Sequence, residues 1–196
     1  MRILLASSNP GKLREYRELA AGTALEVDLL PDFEKLPSFD EPAPTFGENS
    51  AGKALHYSRF TEEMVLADDS GLVVPALGGA PGVRSARYAG PKATSAECVA
   101  KLLREMQGKA GDERGARFVC VISAARRGRA VAVVSDFAEG FVAEAPRGAN
   151  GFGYDPVFYF PDRTRTYAEA PAQEKNRASH RGKAFRRFVE ALLPSK

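Results

Sequence analysis

The first twenty-two residues limit the fold class more than any other stretch. Arg2, Ile3, Leu4, Leu5 and Ala6 form a short apolar run that fits a buried strand. Ser7, Ser8, Asn9, Pro10, Gly11 and Lys12 follow, all small, polar or turn-forming. Leu13, Tyr16 and Ala20 then recur at helical spacing up to Gly22, a natural stop. Strand, polar loop, helix is the opening of an α/β chain. The alternation continues. Thr45-Phe46-Gly47-Glu48 is a capping-box pattern that opens a helix to about Glu62. Residues 65–67 read as a strand running into Asp68-Asp69-Ser70-Gly71, and residues 72–77 as a second strand. Thr94 or Ser95 caps a helix with Val99, Leu102, Leu103 and Met106 as its apolar stripe and Gly108 as its stop. Residues 117–125 and 130–137 make a hairpin about Arg127-Gly128-Arg129, and residues 141–144 continue the sheet. Phe185, Phe188, Val189 and Leu192 give a last amphipathic helix. The hairpin requires antiparallel pairing, so the expected class is α/β with a mixed central β-sheet flanked by helices.

A length of 196 residues suits one domain, or two closely joined lobes. At 44% hydrophobic and 27% charged, the chain is neither collagen-like nor wholly disordered. A net charge of +3 is too mild to argue nucleic-acid binding. Its distribution is informative. Residues 26–69 carry eleven acids against Lys35, Lys53 and Arg59, whereas residues 163–187 carry eight bases against Glu169 and Glu174. A polyphosphate with a divalent metal needs both signs. Two solvated faces would also account for the pattern. Cys98 and Cys120 lack a C-x-x-C partner, as expected of a reducing compartment. The N-terminal apolar run is too short for a signal peptide or a membrane span. A soluble cytoplasmic protein is expected.

Four segments could carry chemistry. The turn at residues 7–12 lies between a strand and a helix start, where backbone N–H groups receive phosphate oxygens and Lys12 adds charge; it is not a Walker A loop. Asp68 and Asp69, adjacent and read as a strand end, point to opposite faces and so serve different ends: one holds Mg²⁺ or activates water, the other supports neighbouring groups. Glu41 is a second candidate metal oxygen. In Gly151-Phe152-Gly153-Tyr154-Asp155-Pro156 the glycines let backbone approach a flat ligand on which Phe152 could stack. Glu174-Lys175-Asn176 and Ser179-His180-Arg181 supply donors and positive charge. No zinc site or Ser-His-Asp arrangement is visible.

Taken in order, these motifs resemble the inosine triphosphatase type of dITP/XTP pyrophosphatase, which acts on non-canonical purine nucleoside triphosphates. The segments are LASSNPGK (5–12), TFGENSAGKA (45–54), ADDSGL (67–72), LGGAPGVRSARY (77–88), GFGYDP (151–156) and EKNRASHRGKA (174–184). The resemblance implies a single pyrophosphatase domain over residues 1–196, with two lobes and the active-site cleft between them. It implies that Ser7, Ser8, Asn9, Pro10, Gly11, Lys12 and Lys53 bind the triphosphate. Glu41 and Asp69 would ligate Mg²⁺, with Asp69 also the proton acceptor for water and Asp68 the alternative base. Ser70 would touch substrate. Phe152, Gly153, Tyr154, Asp155, Lys175, His180 and Arg181 would line the nucleotide pocket, His180 or Arg181 donating to a 6-oxo group. Pro42 follows Glu41 where many relatives have a less rigid residue. The implied partner is a small-molecule purine triphosphate, with no nucleic acid and no membrane, in a homodimer. Two rivals stay open: a house-cleaning pyrophosphatase for modified pyrimidine or methylated nucleotides, and a nucleotide- or RNA-binding module using the basic stretch.

Overall fold

The computed structural model describes residues 1–162 and 164–193. Six strands form one sheet in the order β2-β1-β3-β4-β5-β6: β1 (Arg2–Leu5), β2 (Glu26–Leu29), β3 (Met64–Val73), β4 (Gly115–Arg126), β5 (Arg129–Val142) and β6 (Phe158–Tyr159). β1 runs parallel to both β2 and β3, with Leu5 opposite Leu29 and Leu66, while β6 is antiparallel to β5. The mixed sheet is as expected. The helices are α1 (Pro10–Ala20), α2 (Phe46–Tyr57), α3 (Ser95–Glu105), α4 (Ala172–Ala178) and α5 (His180–Leu192). No helix among the described residues is long and apolar enough to cross a membrane.

Local chemistry explains most element boundaries. Asn9 caps α1 by accepting from the N–H groups of Gly11 and Lys12, and Pro10 sits in the first turn, where a missing N–H costs nothing. Thr45 caps α2 through the Glu48 N–H. Thr94 and Glu97 close a reciprocal capping box on α3. Arg127 and Gly128 both have positive φ, 50° and 72°, the two-residue turn whose twist matches a hairpin.

The chain divides into two compact units: residues 1–69, 120–136 and 181–196, and residues 70–119 and 137–180. The first unit has two apolar clusters. In one, Ile3, Leu5, Leu66, Tyr16, Ile122, Phe185 and Phe188 pack together; in the other, Leu4, Ala6, Leu30, Ala54, Tyr57 and Val65 do. The core of the second unit gathers Leu72, Val99, Leu102, Met106, Phe118, Val142, Tyr154, Phe158 and Tyr167.

Several expectations need correcting. Asp68 and Asp69 do not end a strand: β3 passes straight through them to Val73, and both are buried. Buried partners for their carboxylates remove the reason for a turn. β1 is the strand that ends here, since its pairing with β3 stops at Leu5–Leu66. The second strand expected at 72–77 is the tail of β3 followed by a 3₁₀ turn at Pro75–Leu77, because Pro75 has no N–H to pair. α2 stops at Tyr57, not near Glu62. The short strands β2 and β6 carried no sequence signal. Arg163, counted in the basic stretch, lies outside the described residues.

Phe185 is 1% exposed and meets the Tyr16 ring edge-on at 5.6 Å. Phe185→Ala should therefore cost about 3–5 kcal/mol. Urea unfolding should show a lower midpoint with the slope unchanged.

Candidate functional site

In the first unit the chemistry gathers where β1 ends. Beyond Leu5 the chain turns through residues 6–9 into α1, and β3 continues without its β1 neighbour. Ser7 Oγ accepts from the Asn9 N–H at 3.1 Å, and Asn9 Oδ1 accepts from Gly11 at 2.8 Å, which orders the turn. Lys12, in the first turn of α1, reaches Asp68 Oδ1 with its ammonium at 2.8 Å.

Asp68 is 1% exposed. Besides Lys12 it receives Arg181 Nε and Nη2, both at 3.1 Å to Oδ2. Arg181 Nη1 donates to Glu15 Oε2 at 2.6 Å. Burial alone would push the Asp68 carboxyl up. The charges of Lys12, Arg181 and Lys53 outweigh it and hold the group far below the usual carboxylate range. Burial likewise works against the Arg181 charge, and Asp68 and Glu15 hold its pKa up. The Cys120 thiol, 3.9 Å from Asp68 Oδ2, is pushed up to about 12 by burial and then by Asp68.

Asp69 points to the other face of β3 and has a different environment. Asn49 Nδ2 donates to its Oδ2 at 3.2 Å. Burial and the nearby Glu41 charge push its pKa up to about 6, against the pull of Lys12, Asn49 and Lys53. Lys53, one turn after Asn49 on α2, forms an ion pair with Glu41. Burial disfavours its charge, yet Glu41, with Asp68 and Asp69, keeps its pKa above the ordinary value. Glu41 has a φ of 49° and precedes Pro42, a backbone conformation that costs an L-residue on the order of 1–3 kcal/mol.

The second unit holds the other expected group. Asp155 Oδ2 accepts from Lys175 Nζ at 2.5 Å and from the Phe152 N–H at 2.8 Å. The Lys175 ammonium lies 5.1 Å from the centroid of the Phe152 ring. Gly151 has a φ of 74°, and a Cβ there would fall 2.0 Å from Asp155 Oδ2, so only glycine fits. His180 stacks on Phe118 at 4.5 Å and 8°. Gly153 completes the loop with a φ of 63°. Ser70 is half-buried on β3.

Four expectations change. Arg181, grouped with the pocket-lining residues, has its guanidinium buried against Asp68 and Glu15. Tyr154 lies in the apolar core, its hydroxyl donating to the Ser85 carbonyl at 2.8 Å. Asp155, 2% exposed, braces its own loop. Nor is the basic stretch at 163–187 one cationic face, since Lys175 and Arg181 are buried in ion pairs. Sequence reasoning missed Glu15 and Asn49. The signal was spacing: Glu15 lies three residues after Lys12, and Asn49 four before Lys53, each on the same helix face.

Glu41 and Asp69 supply hard carboxylate oxygens, and the charge of Glu41 disfavours that of Asp69, a conflict that a divalent cation would relieve. Among the described residues no three His, Cys, Asp or Glu side chains group as a metal cage. Two carboxylates suit Mg²⁺, which takes its remaining ligands from water and phosphate.

The two neighbouring aspartates should respond oppositely to neutralisation in metal-free protein. Asp68→Asn takes from Lys12 its buried counter-ion and leaves Arg181 with Glu15 alone, and should cost about 3–5 kcal/mol at neutral pH. Asp69→Asn removes a disfavoured charge and should stabilise by about 1–3 kcal/mol. The sign follows from linkage. The folded pKa of Asp69 lies above the unfolded value, so its penalty is full above about pH 6, shrinks as pH falls, and vanishes below about pH 4. Urea titrations in EDTA at several pH values check both, and an Asp69→Asn gain independent of pH would contradict this account.

Comparison with known proteins identifies the family and the fold. The sequence profile of the Ham1 family matches residues 3–191. The chain is 50% identical over 188 residues to a dITP/XTP pyrophosphatase of Geobacillus kaustophilus (strain HTA426), covering 96% of this chain and 92% of that one. A solved HAM1 protein from Coxiella burnetii superposes with a TM-score of 0.86 at 40% identity, each chain covered completely. The Staphylococcus aureus Ham1 protein gives 0.85 at 34% identity, again with complete coverage of both. With the family profile matched over nearly its whole length and the fold of solved members reproduced from end to end, the chain belongs to the Ham1 family.

Proposed function

We propose that this chain hydrolyses non-canonical purine nucleoside triphosphates, ITP, dITP and XTP, to the monophosphate and pyrophosphate, as one catalytic domain over residues 1–196. The relative from Geobacillus kaustophilus carries the name of that activity at 50% identity. The observation that carries the reading is the contrast on β3: two adjacent buried aspartates, one held ionised by Lys12 and Arg181, the other pushed up to about 6.

A triphosphate concentrates negative charge, so the protein's task is to position it and neutralise it. The backbone N–H groups of the turn at Ser7, Ser8, Asn9, Pro10 and Gly11 take phosphate oxygens at the start of α1. Lys12, fixed by Asp68, and Lys53 balance the charge that builds on the departing pyrophosphate. Water attacks the α-phosphorus, the bond to the bridging oxygen breaks, and Asp69 accepts the water's proton. Asp69 suits that task better than Asp68, whose proton affinity is suppressed by its two cations. Mg²⁺ would be held by Glu41 directly and by Asp69 through water, which leaves the Asp69 carboxylate able to take a proton, and it would supply Lewis-acid neutralisation of phosphate oxygens. Lys53 then has a reason to exchange Glu41 for phosphate.

The group in the second unit takes the nucleoside: Phe152 offers a ring face, Gly153 lets backbone come close, Ser70 contacts substrate, and Lys175 and His180 face the 6-oxo edge. A buried donor left against the amino group of adenine costs about 1–3 kcal/mol, roughly a 10- to 100-fold preference. A homodimer is part of the proposal, supported by the exposed valines Val131 and Val133 on β5. A reducing cytoplasm fits the two buried, unbridged thiols.

With Mg²⁺, pyrophosphate release from ITP and XTP should exceed that from ATP by at least about tenfold, and EDTA should abolish it. Asp69→Asn should lower kcat by about 100-fold or more. Lys12→Met should lower kcat/KM for every triphosphate alike. Release of single phosphate ions, or turnover that survives both EDTA and Asp69→Asn, would refute the reading. Salt-sensitive RNA binding without turnover would favour a binding module.

A further inference from the structure

Asn49 is fully buried, sits in the second turn of α2 and belongs to neither the triphosphate group nor the nucleoside group. Its amide makes three hydrogen bonds. Oδ1 accepts from the Ala43 N–H at 2.8 Å, Nδ2 donates to the Ala43 carbonyl at 3.2 Å, and Nδ2 donates to Asp69 Oδ2 at 3.2 Å. Both Nδ2 hydrogens are thus committed, one to each acceptor. The orientation of the amide is unambiguous, because Ala43 N–H can only donate and the carboxylate can only accept.

The location gives these bonds their meaning. Ala43 lies two residues after Glu41, in a segment with Pro42 and Pro44 on either side and no regular secondary structure of its own. Glu41 holds a positive φ, which persists only where its surroundings impose it. The two-point grip on Ala43 imitates a strand neighbour and ties this loop to α2. The third bond ties α2 to Asp69 on β3. One side chain therefore fixes both carboxylates that would hold a divalent cation. No other residue type does this. Asp lacks the donors and would repel Asp69; Ser is too short to reach both; Gln carries its amide one carbon too far for a grip set by this backbone.

We infer that Asn49 is a positioning residue that sets the spacing of Glu41 and Asp69 for the metal, acting through both without touching substrate. The inference rests on the proposed metal role of those two carboxylates and goes one step further. Groups that orient metal ligands change metal affinity by about 10- to 100-fold when removed.

The test measures Mn²⁺ binding by electron paramagnetic resonance on the full chain, with a non-hydrolysable inosine triphosphate analogue, and the Mg²⁺ activation curve beside it. Asn49→Ala should weaken Mn²⁺ binding about tenfold or more and raise half-saturating Mg²⁺ in proportion. KM for the nucleotide at saturating Mg²⁺ should change less than twofold. Should Asn49→Ala fail to fold, Asn49→Ser makes the smaller change and should show the same displacement. If either folded variant binds Mn²⁺ within twofold of the parent and differs only in melting temperature, the role is merely structural and the inference falls. Asp69→Asn separates this from the parent reading: if it retains full Mn²⁺ affinity, the metal site itself is wrong. If it loses Mn²⁺ while Asn49→Ala does not, only the role of Asn49 is overturned.

Discussion

A carboxylate with almost no exposure, in the middle of a strand, survives only because cations meet it there. Asp68 draws Lys12 from 56 residues away and Arg181 from 113 residues away onto one point. Unpaired, its burial would cost several kcal/mol; paired, it joins β3, α1 and α5. The apolar packing beneath, of Tyr16 on Phe185, joins the same two helices. The ammonium of Lys12 is consequently placed by the core of the first unit and not by a mobile surface contact. On the proposed reading, the charge that would meet a polyphosphate is positioned before any ligand arrives, which is the physical content of preorganisation.

The period-2 geometry of a strand then produces a division of labour. Asp68 and Asp69 are adjacent in sequence and similarly buried, yet they face opposite sides and differ in company. Two cations make Asp68 a permanent anion. Asp69 has an amide and a neighbouring carboxylate, and its proton is held to about pH 6. The strained φ of Glu41 and the disfavoured charge of Asp69 both cost stability, and both occur in the same group of residues. Such costs concentrate where function needs them.

Much of this was legible in the sequence. The turn at residues 7–12, the Thr45 and Thr94 caps, the hairpin at Arg127-Gly128 and the amphipathic α5 all follow from local chemistry, because capping and turn preferences act within a few residues. Legibility ended where distant residues decide. Asp-Asp-Ser-Gly has the composition of a turn, and it lies within a strand where Lys12, Arg181 and Asn49, all distant in sequence, meet its two carboxylates. Arg181 looked like a donor in a basic run, since nothing local reveals that Glu15 and Asp68 enclose it. Glu15 and Asn49 are polar, so an amphipathic reading places them in solvent. Their spacing from Lys12 and Lys53 was the one available clue. β6 is only two residues, and β2, as short as β1, alternates Glu-Val-Asp-Leu where β1 has an unbroken apolar run that stands out.

Burial and then the Glu41 charge raise the proton affinity of Asp69, and the ion pairs around it show why no cation cancels that rise. Glu15, Glu41, Asp68 and Asp69 face Lys12, Lys53 and Arg181, four acids against three bases. Three pairings satisfy three of the acids: Asp68 with Lys12, Glu15 with Arg181, Glu41 with Lys53. Asp69 is supported by a neutral amide, and burial together with the Glu41 charge raises its affinity for a proton against the weaker pull of Lys12 and Lys53. A bare divalent cation would have to compete with Lys53 for Glu41. A cation arriving with a triphosphate brings the anion that Lys53 needs once it leaves Glu41. On the proposed reading, this charge balance would favour metal and nucleotide together over either alone, with Asp69 as the acceptor of a proton.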